Sequence, residues 1–248
     1  MTTTVSHPHQ ERSLYSASNM NLYSFSGTDA VTKGDGGLLV GATTTFESLF
    51  KHPEIYQYAA IFMALRNVNN AATRRQKMVG RVLSPDFASQ GLAAAMMALD
   101  TQLLIAGSGE TRATTLSHFC TKDLCVLRPG ETVKSFFIPE YNCQNSVYHS
   151  VDFLPSGQAL CGVAAWAYKT NGTIDNVRII LSGCTPVPVY LERMSNIMIG
   201  RECTMEEIEK AIQRLEEERL VLQNPQLVIG SHLFNLSKTL IKRALMTL

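Results

Sequence analysis

The chain has 248 residues, of which 45% are hydrophobic and 17% charged, with a formal net charge of +1. That balance suits one large or two smaller globular domains whose cores need no staples, and it supplies no charge field to draw nucleic acid or a membrane surface as the main partner. Met1 to Ser13 lacks the basic and apolar regions of a secretory signal, and the longest nearly uncharged apolar run, Gly91 to Leu99, falls far short of the roughly 20 residues of a membrane span, so a cytoplasmic chain is expected.

Residues 1–35 are rich in Ser, Thr, Asn and His, with scattered apolar positions, and read as an N-terminal arm. At Gly36-Gly37 the texture changes to a turn, a strand at Leu38 to Ala42 and a helix starting near Thr45. Ala88 to Leu99 reads as a buried helix from its Ala, Leu and Met content, with a strand following at Gln102 to Ala106. Leu127 to Pro139 has Pro-Gly turn chemistry and then an extended segment.

Beyond Glu140 a second domain is expected. Gly162 to Lys169 and Thr173 to Leu181 are two strands joined at Asn171-Gly172, the pair best suited to a type I′ hairpin turn. Thr204-Met205-Glu206-Glu207 is a capping box before Ile208, Ala211, Ile212 and Leu215 at helical spacing. Ser231 is placed to cap a last helix with a stripe of Leu233, Leu236, Leu240, Ile241 and Ala244. Asn171-Gly172-Thr173 and Asn235-Leu236-Ser237 match glycosylation acceptors but read as a turn and a helix segment. Asp123 and Cys125 near His118 suggest a nucleophile and base with nothing to orient them. The six cysteines, at 120, 125, 143, 161, 184 and 203, stand at neither zinc nor iron–sulfur spacing, so they read as reduced thiols and the chain is expected to hold no metal.

Several of these segments occur in the order of one known family. Leu65-Arg66-Asn67-Val68 with Ser84-Pro85 and the Leu-Asp end of the following helix, Gly37-Leu38-Leu39-Val40-Gly41-Ala42-Thr43-Thr44, Leu127-Arg128-Pro129-Gly130-Glu131, and Ser182 to Val189 resemble the FAD-binding medium subunit of molybdenum hydroxylases of the xanthine dehydrogenase and carbon monoxide dehydrogenase type. The resemblance implies an α+β fold: a truncated PCMH-type FAD-binding domain at 36–140, then at 141–248 a three-stranded antiparallel sheet with helices, like the carbon monoxide dehydrogenase flavoprotein C-terminal domain. It implies FAD as cofactor and no catalytic residue of the chain's own. It also implies an iron–sulfur small subunit and a molybdopterin large subunit as partners, with NAD or another electron acceptor.

The family's cofactor contacts are altered here. Ser26-Gly27-Thr28-Asp29-Ala30-Val31 looks like the first Gly-rich loop, but only Thr32 to Gly36 separate it from the Gly37 strand, where the family has about forty residues. The expectation is that the true first loop is absent. The family's T-x-G-G-N loop, whose glycines let backbone N–H groups approach a diphosphate, corresponds to Asn70 and Thr73-Arg74-Arg75-Gln76-Lys77. Arg74, Arg75 and Lys77, with Arg81, could attract the diphosphate through side chains instead, or the segment could be a basic surface loop facing an acidic partner. Asp86 stands two residues before the family's Asp position, where it could instead cap a helix. Val133 and His149 fall where the family has a wall residue and a Lys near the flavin ring. Two functions follow: an FAD-binding electron-transfer subunit, or a flavin-free structural or assembly subunit of such a complex. An unrelated binding protein would make the order of the motifs a coincidence.

Overall fold

The computed structural model describes residues 29–84, 89–107, 109–120, 127–140, 145–153, 158–218, 220–222 and 230–248. Residues at the end of the expected arm enter the fold: β1 (Val31–Gly34) pairs with β2 (Gly37–Gly41) through a two-residue turn closed by Gly36 at φ +78°, a left-handed conformation in which a glycine has no Cβ to clash. Thr45 caps α1 (Phe46–Lys51), its side chain accepting from Ser48 N. A 3₁₀ turn over Pro53–Gln57 leads to α2 (Ala59–Asn67), and α3 (Ala71–Gln76) follows.

The buried helix α4 (Gln90–Ala98) ends at Asp100 in the left-handed region, and β3 (Gln102–Ala106), β4 (Thr111–Thr115), α5 (Leu116–Cys120) and β5 (Thr132–Pro139) complete the first unit. Its five strands lie in the order β1-β2-β5-β3-β4, each neighbouring pair antiparallel. Arg112 of β4 grips Glu131 with two hydrogen bonds of 2.9 and 2.8 Å, and Arg128 N donates to the same carboxylate at 2.8 Å, fixing the turn that leads into β5.

The second unit contains β6 (Ser146–Phe153), β7 (Gln158–Thr170), β8 (Thr173–Ser182) and β9 (Val189–Tyr190), in that spatial order. The expected three strands are joined by a fourth of two residues, paired to Ile180 and Leu181. Asn171 and Gly172 both take positive φ, as a type I′ turn requires. Among the described residues there follow α6 (Glu192–Met198), α7 (Met205–Gln213), capped by Thr204 as the capping box predicts, and α8 (Gly230–Thr247), which begins one residue before the expected cap Ser231.

The second sheet is apolar on both faces, which decides how the two units meet. Val147, Cys161, Val163, Ala165, Val177, Ile179 and Leu181 face α6, α7 and α8. The alternate set, Tyr148, Ala164, Trp166 and Ile180, joins the core of the first unit under α2 and α4. Glycine makes that approach possible, since a Cβ at Gly91 would stand 2.6 Å and one at Gly162 2.4 Å from the Tyr148 hydroxyl oxygen. Gln90 then pins the joint: its Nε2 donates to Pro186 O at 2.9 Å, and its Oε1 accepts from Gly183 N at 2.7 Å. Arg178 adds a link to Asp100 at 3.2 Å and lies over the Trp166 ring.

Candidate functional site

The residues singled out from sequence converge mostly on one corner of the first unit, where β2 runs into α1. Backbone hydrogen bonds of 2.8 Å sew the 70–84 segment onto that corner: Phe46 N donates to Lys77 O, Val79 N to Thr44 O and Gly80 N to Ala42 O. Gly80 packs tightly, since a Cβ there would meet Ala42 O at 3.0 Å. Ala42 N in turn donates to Lys134 O at 2.9 Å, which brings Val133 beside the same corner. The G-A-T-T motif and the altered loop, 30 residues apart in sequence, are thus neighbours through main-chain bonds that side-chain identity does not decide.

Within the corner, Ala71–Gln76 is a helix. Asn70 caps it, Oδ1 accepting from Ala72 N at 2.8 Å, while Arg74 N donates to Asn70 O and Lys77 N to Thr73 O. Ala71 and Ala72 favour this choice, and no glycine interrupts the turn. Arg74 turns back onto its own domain. Its Nε donates to Glu47 at 2.7 Å, its Nη1 to Val68 O at 2.6 Å, and its guanidinium lies 4.6 Å from the centre of the Phe50 ring. Glu47 is only 7% exposed; Arg74 first, then Lys51, holds its carboxyl below the ordinary carboxylate range. Phe50 stacks on Phe62 at 5.3 Å, and Tyr56 tilts against Phe62 at 4.9 Å, extending the ladder.

These bonds bear on how a dinucleotide would be held. A cradle of open backbone N–H groups does not fit residues 70–77 as folded, because Asn70 and Arg74 are engaged within the domain and the N–H groups of Ala72, Arg74 and Lys77 have acceptors. The cationic side chains of Arg75 and Arg81 are exposed and that of Lys77 half-buried, with Gln76 exposed between them.

Asp86 lies outside the described residues, as do Ser26, Gly27, Thr28, Asp123 and Cys125. His149 is not brought to the corner. In β6 it alternates with Tyr148 and faces α8, where its Nε2 stands 3.2 Å from Thr247 Oγ1. Burial, then the positive charge of Arg243, holds its imidazole below the usual pKa. On the opposite side of the same strand, Asn67 donates to Ser150 and Ser150 to Asp152 at 2.8 and 2.7 Å, and burial raises the Asp152 carboxyl.

Sequence reading missed the partners that fix the corner, Glu47 and Phe50, because both read only as members of a helix. It also missed Gln90 and Tyr148 at the joint. A lone glycine in the Ala-rich helix at 91 and another in the strand at 162 were the available signals of close approach. Among the described residues there is no group of three or more His, Cys, Asp or Glu side chains able to hold a metal ion, and no helix long and apolar enough to cross a membrane.

The chain folds as two units, the second sheet giving one face to the core of the first unit and the other to a core of its own. Residues 3–141 match the model of the FAD binding domain in molybdopterin dehydrogenase, and residues 156–227 match that of the CO dehydrogenase flavoprotein C-terminal domain. The chain belongs to this family of FAD-binding domains, and FAD is its cofactor. Solved structures agree on the fold. A chain of carbon monoxide dehydrogenase from Hydrogenophaga pseudoflava, in a form lacking the Mo-pyranopterin moiety of its cofactor, is 17% identical with TM-score 0.77, covering 88% of this chain and 77% of its own. One of quinoline 2-oxidoreductase from Pseudomonas putida 86 is 20% identical with TM-score 0.77, covering 91% and 79%. One of reconstituted CO dehydrogenase from Oligotropha carboxidovorans is 15% identical with TM-score 0.78, covering 89% and 78%. No match was found among curated proteins. The matched span begins at residue 3, inside the segment read from sequence as an arm.

Proposed function

We propose that this chain is the electron-carrying flavin subunit of a molybdenum hydroxylase complex. In this reading an iron–sulfur small subunit delivers electrons, a molybdopterin large subunit meets the substrate, and NAD or another acceptor takes the electrons away. The observation that carries it is the family match over residues 3–141, followed in order by the C-terminal match. FAD, when bound, supplies a centre that takes up and releases electrons. The chain's own residues bind and orient it: Arg75 and Lys77, with Arg81, offer charge to the diphosphate, Gln76 an amide, and Val133 an apolar wall. Asn70, Thr73 and Arg74 shape the helix that presents them, and Asp86 is the acidic residue that the family resemblance assigns to the cofactor. His149 serves the docking of α8 in this proposal, since it faces that helix.

One observation favours the flavin-free structural reading: Asn70 and Arg74 are committed to Ala72 and Glu47 rather than left open for a ligand. The purified complex separates the two. Electron transfer through this chain predicts a flavin absorbance that bleaches when substrate is added without acceptor. A colourless complex that still reduces its acceptor would sink that reading and leave the structural one.

A further inference from the structure

Away from the corner, two thiols lie against each other. Cys161 in β7 and Cys184, two residues beyond β8, have sulfur atoms 3.3 Å apart, and both are fully buried. Strand geometry explains the meeting. Cys161 alternates with Gly162 and so faces the helices, while Ser182 at the end of β8 lies on the Tyr148 side, beside Gly162. Continued alternation would put Cys184 on the Tyr148 side as well. Gly183 at φ +77° turns the chain, and Cys184 joins Cys161 in the core under α8. Ser237 of α8 closes the group, its oxygen 3.6 and 3.7 Å from the two sulfurs and its proton given to Leu233 O at 2.7 Å.

We propose that Cys161 and Cys184 are a reversible redox modification site, closed to a disulfide by hydrogen peroxide. The sulfurs need approach by only about 1.3 Å to reach bonding distance. The Cys184 thiolate attacks one peroxide oxygen, the O–O bond breaks, and the leaving hydroxide is protonated to water, giving a sulfenic acid on Cys184. The Cys161 sulfur then attacks the Cys184 sulfur; the S–S bond forms, the S–O bond breaks and a second water leaves. Two thiols give up two electrons and two protons, and the peroxide takes both.

Cys184 is the attacking sulfur because the hydrogen bond from Cys161 holds its thiol below the usual value, whereas that same bond and burial push Cys161 up. Burial selects the oxidant by size, since a bulky disulfide cannot reach the pair while a peroxide is scarcely larger than water. Cys120 and Cys203, both partly exposed, have no such protection. The consequence is local to the joint: the Gly183 to Pro186 loop is the one Gln90 holds against α4, so oxidation ties β7 covalently to the segment that fastens the second sheet to the first unit.

The test uses the full chain, in its complex where it has partners. Reduced protein is exposed to graded hydrogen peroxide, unfolded, alkylated, digested and analysed by mass spectrometry. The proposal expects a peptide pair joined through Cys161 and Cys184 in most molecules, released by dithiothreitol and absent from Cys161→Ser and Cys184→Ser. In Cys161→Ser, sulfenic acid is expected to collect on Cys184. Full alkylation of Cys161 and Cys184 at peroxide doses that have already oxidised Cys120 and Cys203 would overturn it. The wild-type digest decides even if a variant fails to fold, and it reads no flavin, so it stands apart from the electron-transfer reading.

Discussion

The joint between α4 and the second sheet and the corner between β2 and α3 are both built from segments that carry the family resemblance, yet they are held differently. At the joint, Gly91 and Gly162 let the Tyr148 phenol lie where any side chain would collide, and Gln90 binds only main-chain groups. Shape is what the joint demands, and shape leaves little freedom of residue type. At the corner, main-chain bonds from Ala42, Thr44 and Phe46 fix the path of the 70–84 segment, while its side chains are set by what they must touch. A loop can therefore become a capped helix there without disturbing the fold. Packing glycines and ligand-facing glycines answer to separate demands, and Gly91 and Gly162 are of the first kind.

The sharpest way to break that contrast is at the joint. Gly162→Ala is expected to destabilise by about 2–3 kcal/mol, because the new methyl meets the oxygens of Tyr148 and Ser182, both buried. Tyr148→Phe removes the nearer atom, so the double variant should recover part of the loss in urea unfolding; strict additivity would show that the close approach is not the cause.

A smaller effect belongs to the corner. Arg74→Ala should cost about 1–2 kcal/mol from the charged hydrogen bond to Val68 O and the contact over Phe50 alone. If its urea midpoint equals wild type, the helix does not depend on its lock.

Acid offers a third lever on the same unit. The Arg112 hydrogen bonds first, then the Arg128 amide, hold the Glu131 carboxyl down to about 2. A carboxylate lowered in the folded state contributes stability present above its unfolded value, and that contribution fades as pH falls from about 4.5 towards 2. Urea midpoints of Glu131→Gln should therefore change less over that interval than those of wild type. Parallel profiles would place the acid sensitivity elsewhere.

The smallest effect is expected next to the lock. Arg75→Ala touches no described partner and should leave stability within about 0.5 kcal/mol. An Arg75→Ala loss as large as that of Arg74→Ala would erase the distinction between the residue that fastens α3 and the one that faces outward.

Much of the fold was legible because periodicity and turn chemistry are local. The helix start near Thr45, the Thr204 cap, the Asn171-Gly172 turn and the Gln102 to Ala106 strand needed only neighbours within a few residues. Strand β1 was not legible, since Val-Thr-Lys-Gly gains its apolar contacts only once β2 is beside it. The site was half legible. Asn70 to Lys77 read as one altered loop, and only the structure lays it beside the Gly41 to Thr44 motif; a row of three cations cannot reveal that one of them is spent on Glu47, 27 residues earlier. His149 was placed by spacing along the chain, and spacing does not say which face of a strand a residue takes; Tyr148, its neighbour, faces the joint instead.

Flavin stoichiometry in the intact complex tests the central claim most directly. The complex is purified without added flavin, denatured, and its released FAD measured against the chain. The electron-carrier account predicts about one FAD per chain, with a visible spectrum that bleaches on substrate. A fully active complex that releases no FAD would contradict it.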